Sequence, residues 1–294
     1  MTVINTNNAA AITANALTKN ERAMSQAMER LSTGQRINSA GDDAAGLAIS
    51  SRMTSQLNGL NMAVRNANDA ISLVQTADGA LSEVTNMLQR MRELAVQAAS
   101  GTMSTTDQAA LSTEFEALTL GIDAIADNTQ WNGTQLLDAT SNSGVFAFQV
   151  GANASQTISV TIRDFTTDGG STGVMENLDD ATTTDFEDDD LDLDAIAITS
   201  AAEATAAISE LSNAITRVDT ERAVLGSVVS RLEYTADNLA NVSQNTSASR
   251  SRILDADYAS ETTELARTQI IQQAATAMLS QANQQAQSVL ALLR

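Results

Sequence analysis

The stretch 60–98, LNMAVRNANDAISLVQTADGALSEVTNMLQRMRELAVQA, decides the fold. Its apolar residues Leu60, Val64, Ala67, Ile71, Val74, Ala77, Leu81, Val84, Leu88, Met91, Ala95 and Ala98 advance in steps of four and three. That spacing keeps one stripe of a helix turned toward a partner helix. The alternation slips once, between Val74 and Ala77 just before Gly79, which changes the local coiling without ending the helix. Because the chain contains no proline, nothing removes a backbone donor from such a helix. The spacing predicts a helix over about 43–99, roughly 85 Å long at about 1.5 Å per residue.

Toward the N-terminus a similar seam runs through Ala10, Ala14, Leu17, Met24, Met28 and Leu31, interrupted by Glu21. Thr33-Gly34 breaks it, since glycine tolerates the left-handed conformation of a helix C-cap. Ser39 and Asp42 are candidate N-caps for the long helix. Toward the C-terminus, Leu111, Phe115, Leu118, Ile122 and Ile125 predict a further helix over about 106–126. The period then changes to two: 145–150 and 157–162 are β-branched and aromatic, and the four residues 151–154 between them begin with Gly151, which reads as a β-hairpin. Residues 166–199 carry 11 acidic and no basic residues, the composition of a solvated outer segment. Its aspartates at 188, 189, 190, 192 and 194 lack the glycine and spaced glutamate of an EF-hand loop. Heptads resume at Ile208, Leu211, Ile215, Val218, Leu225, Val229, Leu232, Ala236 and Leu239, with Arg222 as a polar interruption. A polar stretch over 244–252 precedes a last helix with the seam Ile271, Ala275, Met278, Ala282, Val289 and Leu292.

The expected fold is mainly α, a long antiparallel helical bundle or coiled coil with a small β-hairpin region and an acidic outer segment. Three parts are expected. Residues 1–42 with 250–294 form a terminal coiled-coil domain, 43–165 with 200–249 a helical bundle carrying the hairpin, and 166–199 the exposed segment.

The composition narrows the chemistry. With no cysteine and no histidine, disulfides, thiolate chemistry, histidine base catalysis and zinc sites built on those residues are excluded. A net charge of −20 argues against a nucleic-acid surface, which needs cations to replace phosphate counterions. The first eight residues carry no basic segment followed by an apolar one, and no 18-residue apolar run offers a membrane span. Aromatic residues make up 3% of the chain, so terminal helices built on Ala10, Ala14, Ala275 and Ala282 bury little apolar surface. At about 25 cal/mol per Å2 such burial does not offset roughly 1–2 kcal/mol of backbone entropy per ordered residue. The terminal helices are therefore expected to gain order by packing on other copies of the chain. A contact surface not closed by two-fold symmetry then generates an open filament. The resulting expectation is a self-assembling structural subunit without catalytic residues or cofactors.

Particular motifs narrow this to a family. The run 31–49, LSTGQRINSAGDDAAGLAI, strongly resembles the N-terminal signature of bacterial flagellins, as does 88–98, LQRMRELAVQA. The segment 129–137, TQWNGTQLL, resembles the family's helix-to-hairpin turn, with Trp131 where phenylalanine is commoner, and 281–293, QANQQAQSVLALL, matches its C-terminus. The resemblance covers about 1–165 and 200–294. It implies a subunit of the flagellar filament, exported unfolded through the flagellar type III apparatus and assembled at the distal tip outside the cell. The implied partners are other copies of the chain, an export chaperone, and the cap and hook-junction proteins. Assembly is expected to rest on Leu17, Met24, Met28, Leu31, Ile271, Met278, Val289 and Leu292. The resemblance further implies a surface read by Toll-like receptor 5, at the positions of Gln89, Arg90, Leu94, Gln97 and Glu114. Residues 90, 94 and 97 share one helical face, and the same positions also suit packing between subunits. Within the same apparatus the hook–filament junction protein is the rival reading. A signalling coiled coil is disfavoured, since no membrane span precedes the heptads and a hairpin interrupts them.

Overall fold

In the computed structural model the described residues are 7–138, 141, 144–166 and 196–292, with the side chains of the last helix described as far as Gln284. The acidic stretch, including its aspartate cluster, lies almost wholly outside them. The elements are α1 (Asn8–Thr33), α2 (Ala44–Ala98), α3 (Thr105–Asn128), β1 (Gln130–Trp131), β2 (Thr134–Gln135), β3 (Val145–Gln149), β4 (Thr157–Thr161), α4 (Ala201–Leu254) and α5 (Tyr258–Leu292). They are distributed over two compact units, one spanning Asn58–Ser243 and the other the residues up to Leu57 with those from Gln244 onward. The divisions fall inside α2 and α4.

The unit Asn58–Ser243 is organised around the seam of α2. Leu81, Val84, Leu88, Met91, Ala95 and Ala98 are all fully buried, as the four-three spacing predicts. They form one core with Phe115, Ile122 and Ala126 of α3 and with Leu211, Ala214, Val218 and Leu225 of α4. α2 and α4 run antiparallel, since Arg92 Nε donates to Ser212 Oγ at 3.1 Å, Arg222 Nε to Asp78 Oδ1 at 2.8 Å, and Ser243 Oγ to Asn61 Oδ1 at 3.0 Å. Arg222 is thus a half-exposed ion-pair partner, and the buried step between Val218 and Leu225 is taken by Glu221. α3 begins at a reciprocal capping box between Ser104 and Asp107, in which each side chain accepts the other's backbone N–H. The Ser104 hydroxyl, which donates to Asp107 Oδ2 at 2.7 Å, and then the Ser104 backbone N–H hold the Asp107 carboxyl below its ordinary pKa.

Two small antiparallel sheets follow α3. β1 and β2 are joined by Asn132 (φ 50°) and Gly133 (φ 80°), the left-handed pair that a tight hairpin requires. β3 pairs with β4 from Val145↔Thr161 to Gln149↔Thr157. Ile158 and Val160 of β4 are buried and their neighbours exposed, the period of two read from the sequence. Leu136, Leu137, Val160, Ile162 and Phe165 join the helical core.

In the other unit α1 and α5 pack antiparallel. Asn7 Nδ2 donates to the Ala282 carbonyl at 3.2 Å, Asn20 Nδ2 to the Thr268 carbonyl at 2.7 Å, and Arg30 Nη1 to Glu261 Oε1 at 3.1 Å. Gly34, at φ 71°, ends α1 with its N–H on the Arg30 carbonyl. The polar stretch 244–252 is helical, not a break. Interruption comes at 255–257, where the chain bonds to the end of α1 (Arg36 N to Leu254 O, 2.7 Å; Ala256 N to Gly34 O, 3.0 Å). Asp42 does not cap α2. Its carboxylate accepts from the N–H groups of Ser39 and Asn38, which lowers its pKa. The α2 cap is Asp43, whose Oδ1 accepts from Gly46 N at 2.8 Å.

Candidate assembly and recognition surfaces

The seam between α1 and α5 differs from the one expected. On α1 the positions turned inward are Ala10, Thr13, Leu17, Asn20, Met24, Ala27 and Leu31. Leu17, Met24 and Leu31 therefore lie at the intrachain seam, half-buried. Ala14, Glu21 and Met28 form the next strip outward and are exposed. On α5 the inward positions are Glu261, Leu265, Thr268, Gln272, Ala275, Leu279 and Ala282. Ile271 and Met278, expected in the seam, are exposed beside it, with Ile270 further out. The side chains of Val289 and Leu292 lie outside the described residues. On α1 the seam runs through the polar Thr13 and Asn20, which a pattern of apolar residues passes over. Asn20 is nevertheless buried and hydrogen-bonded, and its spacing of three from Leu17 and four from Met24 was the available signal.

Two apolar strips are left uncovered. Met28, 50% exposed, is the large side chain on the strip Ala14–Glu21–Met28 of α1. Ile271 and Met278, 39% and 59% exposed, mark the strip of α5. In an antiparallel helix pair equal heptad positions face each other across the seam. The α1 strip follows its core positions and the α5 strip precedes its own, so the two strips lie on opposite edges of the pair. Unlike edges cannot be exchanged by a two-fold axis, and contact between them repeats head to tail.

A second surface lies on α2 and α3. Arg90 Nε and Nη2 both donate to Glu114 Oε1, at 3.0 and 2.7 Å, while Nη1 donates to Glu93 Oε2 at 3.0 Å. Its hydrogen bonds to Glu114 and then to Glu93 raise the Arg90 pKa. Gln89, Arg90, Gln97 and Glu114 are exposed. Leu94 is not: it is 1% exposed and belongs to the helical core. The face shared by 90, 94 and 97 thus splits at its edge, with Leu94 turned inward under its neighbours. Glu93, absent from the expected set, is the residue that completes the arginine's coordination.

An antiparallel terminal helix pair with unsatisfied apolar edges and, in the other unit, a well-packed helical core carrying a β-hairpin are the features of a self-assembling structural subunit. Comparison with known proteins agrees. Residues 4–142 match the family described as Bacterial flagellin N-terminal helical region, and 208–293 match Bacterial flagellin C-terminal helical region. The chain is 45% identical to a flagellin of Bacillus subtilis, covering 99% of both chains. It is 46% identical to a flagellin of Halalkalibacterium halodurans over 92% of this chain and 91% of that one. The crystal structure of Bacillus cereus flagellin aligns with 60% of this chain and 88% of its own, at 32% identity and a TM-score of 0.47. The chain belongs to the bacterial flagellin family. It is a structural subunit of the flagellar filament, a reading favoured over the hook–filament junction protein.

Proposed function

We propose that the α1–α5 pair is the polymerisation element of this filament subunit. The observation that carries this is the pair of apolar strips left open on its two edges, Met28 on one and Ile271 with Met278 on the other. Each copy docks its α1 edge on the α5 edge of the next, and burial of these side chains supplies the apolar contact that α1 and α5 lack alone, where α1 buries only Asn20 and Ala27 among its 26 residues. Such weakly packed ends also suit export unfolded through a type III apparatus, with an export chaperone covering them before delivery to the cap and hook-junction proteins. Seeded polymerisation of the purified chain with ammonium sulfate, followed by electron microscopy, tests the contact. Met28→Asp and Met278→Asp should each abolish filaments while leaving the helix content of the soluble chain unchanged. Normal filaments from either variant would sink the proposal.

The α2–α3 surface supports a further reading, recognition by Toll-like receptor 5. Gln89, Arg90, Gln97 and Glu114 offer exposed polar groups to a partner, with Arg90 held in place by two carboxylates. Leu94 acts from beneath by packing the helix that presents them. In receptor reporter cells, Arg90→Ala should lower the response to the soluble chain at least tenfold. An undiminished response would exclude the surface. The same face is available to neighbouring subunits, and the filament yield of the Arg90 variant reads that role separately.

A further inference from the structure

Oxidisable sulfur in this chain resides only in methionine, since there is no cysteine. The methionines differ sharply in access. Met91 is fully buried in the helical core, whereas Met28, Met278 and Met62 are 50%, 59% and 47% exposed. Among the described residues three thioethers are exposed, and two of them lie on the open edges of the α1–α5 pair. Met28 is the large apolar side chain of its strip, whose other members are Ala14 and Glu21, and Met278 shares its strip with Ile271.

We propose that Met28 and Met278 are modification sites at which peroxide blocks assembly of the soluble subunit, and that assembly in turn shields them. The inference rests on the assembly reading above. In the reaction the sulfur lone pair attacks one oxygen of hydrogen peroxide, forming the S=O bond as the O–O bond breaks. The departing hydroxide takes up the remaining proton and leaves as water; sulfur is oxidised by two electrons and the peroxide is reduced. The product side chain is polar and stiffer, and burying its S=O without a donor is unfavourable. Oxidation of Met28 would remove the large apolar side chain of its strip, since Ala14 and Glu21 supply none. Replacement of methionine by leucine keeps the volume and the apolar character while removing the sulfur.

The test treats the soluble chain with hydrogen peroxide, quenches it, maps sulfoxides by mass spectrometry, and follows seeded polymerisation. Sulfoxide is expected at Met28, Met278 and Met62 but not at Met91, with filament yield reduced at least tenfold. The Met28→Leu, Met278→Leu double variant should assemble equally well before and after peroxide. Filaments treated after assembly should keep Met28 and Met278 unmodified. Equal yields from treated and untreated chains, loss of assembly in the treated double variant, or oxidation of both sites in filaments at the soluble rate would each overturn the proposal. Should the double variant fail to assemble untreated, methionine sulfoxide reductases applied to the oxidised natural chain give the second measurement. Recovery of assembly supports the proposal, and no recovery once the sites are reduced overturns it. An untreated natural chain that forms no filaments would instead defeat the assembly reading, and this inference with it.

Discussion

The two units use the same heptad grammar and bury their seams to very different degrees. In Asn58–Ser243 a third helix, α3, and the strands close over the α2–α4 seam, so that Leu81, Leu88 and Phe115 lose nearly all contact with water. In the terminal unit α1 and α5 have only each other along most of their length, and α1 buries Asn20 and Ala27 alone. Charge follows the same division: basic and acidic residues nearly balance in the terminal unit, while the acidic excess belongs to the other. A two-helix seam has two open edges, whereas a three-helix seam has a covered interior. On the proposed assembly, a near-neutral terminal unit lets copies approach without like-charge repulsion, which the acidic unit does not.

Breaking each seam in turn should expose the contrast. Leu88→Ala, in the closed core, should destabilise the soluble chain by about 2–5 kcal/mol in denaturant unfolding. Leu17→Ala, half-buried in the open pair, should change the same transition by less than about 1 kcal/mol and yet lower filament yield severely. Equal effects of the two on soluble stability would erase the distinction between the units. Gly46→Ala should cost about 1–3 kcal/mol, because an added Cβ would lie 2.6 Å from both Asp43 Oδ2 and the buried Ile37 Cδ1. Faster amide exchange in the first turns of α2 would locate that damage. Ser104→Ala removes half of the α3 capping box and should cost about 1 kcal/mol in thermal unfolding.

The smallest effect concerns Glu221, the buried acid within the α4 seam. Burial raises its pKa, with the Arg163 guanidinium at 3.6 Å acting in the opposite direction. A folded pKa above the unfolded one means that the folded chain binds the proton more tightly. The contribution of this group to stability is therefore greatest below its ordinary pKa of 4.5 and declines as pH rises through the folded value. Glu221→Gln should accordingly raise the unfolding free energy at pH 7, by no more than about 1 kcal/mol, the scale of one net polar interaction. The gain should shrink as pH falls toward 4.5, and a gain that grows in acid would contradict the assignment.

Much of the architecture was legible from spacing. The helix predicted over 43–99 is α2 at Ala44–Ala98, that over 106–126 is α3 at Thr105–Asn128, and the two hairpin strands differ by a single residue each at their ends. These elements are fixed by long repeats and by glycine or capping residues at their ends, which act locally. The polar helix turns over 244–252 were missed because periodicity of apolar residues is silent where a helix surface is polar on every side.

What the sequence by itself determined is the periodicity, the absence of helix breakers, and the motifs that place the chain among flagellins. Only the tertiary structure decided which of two adjacent heptad strips faces inward. On α1 the choice fell on Thr13, Asn20 and Ala27 over Ala14, Glu21 and Met28, and on α5 on Leu265, Gln272 and Leu279 over Ile271 and Met278. The same applies to Leu94, which turned inward beside Arg90. Neighbouring strips on a helix are separated by only a fraction of a turn, so composition alone ranks them nearly equal. The partner helix and its specific hydrogen bonds, such as Asn20 to the Thr268 carbonyl, break the tie.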